Sequence, residues 1–98
     1  MADRSDWKSL RDKRMAEPGA AAAYAAAQLA FELGRTVRAL RERHGLSQSE
    51  LARAAGMTQS TVARFEAGGT IPTLPVLERL ANALDAALDI RFTPRAAA

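Results

Sequence analysis

The sequence predicts an all-α fold with one short β-strand at its C-terminal end. Three observations carry that prediction. Apolar residues recur at helical spacing through five segments, and Gly, Pro or a capping Ser or Thr punctuates the junctions between them. The last segment changes period: Leu88, Ile90 and Phe92 alternate with Asp89, Arg91 and Thr93. That is a strand pattern.

Asp3 to Ala16 reads as an amphipathic helix, with Trp7, Leu10 and Met15 near one face and Arg4, Lys8, Arg11, Asp12 and Arg14 elsewhere. Pro18-Gly19 breaks it. Ala20 to His44 reads as one long helix. Its alanines have the highest intrinsic propensity, and Phe31, Leu33, Val37 and Leu40 give it an apolar stripe. Gly45 suits the left-handed position past a helix end. Ser47 and Glu50 have capping-box spacing and open a helix to about Ala55. Gly56 turns the chain, and Thr58 caps a helix to about Ala67. After the loop from Gly68 to Pro72, Thr73 caps another helix that tolerates Pro75 in its first turn. Val76, Leu77, Leu80, Ala81 and Leu84 form its inner face. Pro94 ends the strand.

Ninety-eight residues suffice for one small domain. With no cysteine, disulfides, thiol catalysis and zinc fingers are excluded. The alanine-rich run from Gly19 to Ala27 is too short to span a bilayer. The start is charged from Asp3 and has no signal-peptide apolar region, so a cytoplasmic location is expected. The net charge of +3 is unevenly spread: Arg35, Arg38, Arg41, Arg43, Arg53 and Arg64 face only Glu42 and Glu50 in that stretch. Such a basic region fits phosphate binding and equally fits a solvated helix face. The sole histidine, His44, ends a helix, where it favourably opposes the dipole. No carboxylate pair, nucleophile elbow, phosphate loop or metal-ligand cluster is present, so no enzyme activity, metal or cofactor is expected.

The segment from Leu46 to Glu66 meets the steric demands of a helix-turn-helix. Ala52 is small enough for a close crossing. Gly56 accepts the positive φ of the turn. Val62 pins the second helix inward, and Leu51, Ala55, Met57 and Phe65 complete a small core. With Gln48 as position one, alanine falls at five, glycine at nine and valine at fifteen.

The run Gly-Leu-Ser-Gln-Ser-Glu-Leu-Ala from Gly45, then Gly-Met-Thr-Gln-Ser-Thr-Val-Ala-Arg-Phe-Glu-Ala-Gly from Gly56, then Ile-Pro-Thr-Leu from Ile71, resembles the Xre family of phage-repressor-like DNA-binding domains. The resemblance covers about Gly34 to Leu84. It implies a compact five-helix fold that binds operators as a dimer, and the strand pattern at Leu88 departs from its fifth helix. Asp6-Trp7, Tyr24, Phe31-Glu32-Leu33-Gly34 and Val37-Arg38-Ala39-Leu40-Arg41 are similar to HigA-type antitoxins of type II toxin–antitoxin systems. That similarity implies a RelE/HigB-like toxin as partner, a small ribonuclease.

A second helix so placed would lie in the DNA major groove with Thr58, Gln59, Ser60, Thr61 and Arg64 outward. Gln59 can pair bidentately with adenine, and Arg64 can reach guanine or a phosphate. Thr58 serves equally as a cap. The resemblance implies that Gln48 pairs with Gln59 and with the DNA backbone. Arg38, Arg41 and Arg53 are candidate phosphate contacts, with plain surface charge the alternative for each.

A lone strand needs a ladder partner. Leu88, Ile90 and Phe92 are therefore expected to pair antiparallel with a second copy in a homodimer, or else to fold over their own domain. Trp7, Leu10, Tyr24 and Phe31 could contact a toxin or simply pack on the domain. The expected layout is a helical extension over 1–33, the DNA-binding domain over 34–86 and a dimerisation strand and tail over 87–98. The leading reading is an antitoxin that represses its own operon. The alternatives are a stand-alone repressor without a toxin and an adaptor that binds protein instead of DNA.

Overall fold

A computed structural model of the protein describes residues 17–96. Four helices follow in order: α1 (Ala20–Arg43), α2 (Gln48–Ala55), α3 (Gln59–Glu66) and α4 (Leu74–Ala83). The helix expected over Asp3 to Ala16 lies outside the described residues.

Helix α1 has no side-chain cap at its start, where Gly19 holds φ +81°. Its first half is almost wholly exposed, and only from Ala30 onward does one face become buried. That face is Ala30, Gly34 and Val37, at helical spacing. Of the expected stripe, Val37 is buried and Leu33 and Leu40 pack against the core, whereas Phe31 is 49% exposed. Small residues carry the contact because the backbones come close. A Cβ on Gly34 would lie 2.8 Å from the Glu66 carbonyl oxygen and closer still to that of Phe65. Helix α1 therefore crosses directly over the C-terminal carbonyls of α3.

Leu51, Val62, Leu80 and Leu84 are fully buried, and Val37, Ala52, Ala55 and Phe65 close around them. Leu33, Leu40, Met57, Val76 and Leu77 pack against this cluster. The Thr73 hydroxyl caps α4 by accepting from the Val76 N–H at 3.4 Å, with proline in the first turn. Asp85 ends the helix with φ +51°, a left-handed conformation that Asp tolerates better than most residues. It redirects the chain into residues 86–96, which run without helix, strand or turn.

The strand expected at Leu88–Phe92 is thus not formed within the described chain, and the fifth helix implied by the resemblance is not formed there either. The cause is physical: a strand exists through its ladder, and no other strand is present among the described residues. Leu88, Ile90 and Phe92 stand 37%, 57% and 100% exposed.

Replacing Gly34 by alanine raises helix propensity but forces a methyl group onto two carbonyl oxygens. The clash should win, with a net destabilisation of about 1–3 kcal/mol in urea unfolding. A more stable Gly34→Ala protein would show that the crossing is not tight.

Candidate nucleic-acid interface

Helices α2 and α3 are set by local hydrogen bonds. The Ser47 hydroxyl accepts from the Glu50 N–H at 3.0 Å, and the Ser47 N–H donates to the Glu50 carboxylate at 2.9 Å. The Ser47 backbone bond, then its hydroxyl, hold the Glu50 carboxyl below its ordinary pKa, because both favour the charged form. Gly56 makes the turn at φ +68°. Arg79 of α4 donates to the carbonyls of Ala55 at 2.9 Å and Gly56 at 2.6 Å. It thereby satisfies acceptors that the end of α2 leaves open. The Thr58 hydroxyl accepts from the Thr61 N–H at 3.2 Å, and it bonds the hydroxyls of Thr61 at 2.7 Å and Ser60 at 3.2 Å.

Beneath this unit lies an ion pair. The Arg41 guanidinium donates to both Glu66 carboxylate oxygens, Nε at 2.7 Å and Nη2 at 2.9 Å, and Nη1 donates to the Leu46 carbonyl at 2.8 Å. Their side chains are only 11% and 3% exposed. The hydrogen bond to Glu66 raises the Arg41 pKa above its ordinary value against the opposing effect of burial. No buried side-chain nitrogen or oxygen lacks a partner among the described residues.

The pair orders the surface above it. Gln48 Nε2 donates to Glu66 Oε1 at 3.2 Å, and Gln59 Nε2 donates to Gln48 Oε1 at 2.9 Å. A carboxylate can only accept, so the Gln48 amide must turn its nitrogen inward and its oxygen toward Gln59. Gln59 must then offer its nitrogen to Gln48. It keeps one N–H donor and its carbonyl acceptor free, the complement of adenine N7 and N6.

The structure thus brings Gln48 and Gln59 into direct contact and gathers Thr58, Ser60 and Thr61 at the start of α3. Ser60 and Arg64 are exposed, and Thr61 is half-buried. Arg53 is exposed on α2. Arg38 is exposed and pairs with Glu42 one turn on at 3.0 Å. Arg41 requires a correction: the expected phosphate contact is enclosed, with all three of its hydrogen bonds spent inside the protein. Glu66 was missed. It follows Val62 by four residues and adjoins Phe65, a spacing that puts it on the inner face, and this was the available signal.

Tyr24 and Phe31 are exposed on α1, at 57% and 49%, as is Leu29. The Arg35 guanidinium lies 5.9 Å from the Phe31 ring centre. Trp7 and Leu10 lie outside the described residues. Among the described residues no group of His, Cys, Asp or Glu is arranged to hold a metal. No described helix is long and apolar enough to cross a membrane.

Residues 32–91 match a family described as a helix-turn-helix domain. Over 55 residues the chain is 42% identical to a protein of Pyrococcus abyssi named as an HTH-type transcriptional regulatory protein. The match takes in 56% of this chain and 17% of that relative, so the chain spans a small part of the relative's length. It is also similar to the restriction-modification controller protein C.AhdI from Aeromonas hydrophila, with TM-score 0.58 and 36% identity. That likeness covers 59% of this chain and 88% of the controller.

Truncating Glu66 would leave the Arg41 charge buried and unpaired. Glu66→Ala is expected to cost about 3–5 kcal/mol in chemical denaturation, far more than an exposed pair is worth. A loss below about 1 kcal/mol would mean that water already screens the pair.

Proposed function

The chain belongs to the helix-turn-helix domain family, and we propose that it is a sequence-specific DNA-binding transcriptional regulator. The observation that carries this reading is the Gln48–Gln59 pair at the starts of α2 and α3, anchored to buried Glu66 at the end of α3. A base-reading amide works best when its orientation is fixed before DNA arrives, because no ordering cost is then left for binding. On this reading α3 enters the major groove, Gln59 reads adenine, and Arg64 reaches guanine or a phosphate. Ser60 and Thr61 contact base edges or phosphates. Arg38 and Arg53 position the domain on the backbone without specifying sequence. The regulator and controller names of its relatives support the same reading.

The regulator acts as a homodimer through Leu88, Ile90 and Phe92, which sets two α3 helices about 34 Å apart on a palindrome. Residues 34–86 are its DNA-binding domain, 87–98 its dimerisation tail and 1–33 an extension. Nothing in this role requires a toxin, and the relatives' names favour the stand-alone regulator. The finer reading adds neutralisation of a RelE/HigB-like toxin through Trp7, Leu10, Tyr24 and Phe31. The resemblance to HigA-type antitoxins supports it, as does the exposure of Tyr24, Leu29 and Phe31 on α1.

With an operator selected from random duplexes, Gln59→Ala should cost about 1–3 kcal/mol on that operator and little on unrelated DNA. Fluorescence anisotropy measures both, and equal losses would remove base reading from Gln59. The toxin reading predicts that the product of the adjacent reading frame co-purifies with the full chain. It also predicts that a Tyr24→Ala/Phe31→Ala variant loses that product while keeping operator affinity. An unaffected co-purification would move the contact elsewhere, and none at all would leave the stand-alone regulator.

A further inference from the structure

An apolar groove of about 250 Å³ runs between α1 and α4. Leu33, Val37 and Leu40 form one wall and Leu77 and Leu84 the other, while Leu88 and Asp89 lie at its edge. Just past that edge Ile90 is 57% exposed, and Phe92, at 100%, is the most exposed large apolar side chain among the described residues. Asp89 and Arg91, the alternate residues, pair with each other at 2.7 Å and stay exposed. The segment is therefore two-faced: one edge is an ion pair in water, and the other is apolar and increasingly uncovered from Leu88 to Phe92. We infer that the groove of each protomer receives Ile90 and Phe92 of a second copy of this chain.

The inference rests on the dimer reading and gives it a seat. A protomer's own tail is poorly placed to fill its groove. Its residues line the groove only from Ala86 to Asp89, and the next apolar side chains, Ile90 and Phe92, stand 57% and 100% exposed outside it. At strand rise Phe92 lies about 10 Å beyond Asp89. A two-fold axis near Ile90 carries each tail across to the other groove, so one geometry satisfies both copies at once. Area favours reciprocity. One buried phenylalanine covers roughly 150–250 Å², whereas a specific interface needs about 1,000 Å². Leu88, Ile90 and Phe92 counted from both copies approach that figure, and one tail alone does not.

The test is isotope-filtered NOE spectroscopy on labelled and unlabelled full chain, refolded together, with sedimentation equilibrium on the same sample. The expected result is contact between the Phe92 ring of one copy and the Leu40 and Leu77 methyls of the other. Phe92→Ala is expected to weaken self-association at least tenfold while the helical circular dichroism is retained. Contacts confined to one chain would overturn the inference by giving the groove to its own tail. A dimer without these contacts, or one indifferent to Phe92→Ala, overturns the inference and leaves the dimer reading standing. A monomer at all concentrations removes both.

Discussion

Arg41 and Glu66 hold the candidate interface together. They stand 25 residues apart, on the first and third helices of the described fold, and each is enclosed by protein. Burying two charges costs several kcal/mol each before they attract one another. A hydrophobic pair would fill the same space with less penalty. The charges do what apolar side chains cannot: they fix direction. Glu66 presents only acceptors, so the amide above it has one allowed orientation, and the next amide inherits that orientation. The donor and acceptor facing outward at Gln59 are therefore decided inside the core.

Local hydrogen bonding explains why so much of the motif could be read from the chain. Ser47 and Glu50 form their capping box, Gly56 takes its positive φ, and Thr58 and Thr73 cap their helices. Each of these depends on residues within a few positions of one another. The inner face of α1 was less legible, because Ala30 and Gly34 carry it and small residues add little to an apolar pattern. Reading the larger Phe31 into the stripe put one exposed side chain among core-facing Leu33, Val37 and Leu40 and passed over Ala30 and Gly34. Arg41 was harder still. Nothing in its neighbourhood separates a buried arginine from a surface one, and its partner lies far along the chain.

The C-terminal segment shows the limit of a periodic signal. Alternation of Leu88, Ile90 and Phe92 describes which side chains share a face, not whether a ladder exists. The ladder belongs to a pair of segments, and the described residues hold no partner for this one. The same two-sidedness makes the segment costly to leave in water, with apolar groups on one side and a carboxylate–guanidinium pair on the other.

The first turns of α1 stand apart from everything below them. From Ala20 to Leu29 the helix has no core beneath it among the described residues, no side-chain cap before it, and no contact with Gln48 or Gln59 there. Two halves of one helix thus face different packing constraints. Substitutions beyond Ala30 must respect carbonyl oxygens that lie almost in contact, whereas those before it need only keep a helical backbone. Such a split leaves the outer half free to vary without moving the half that packs against α3.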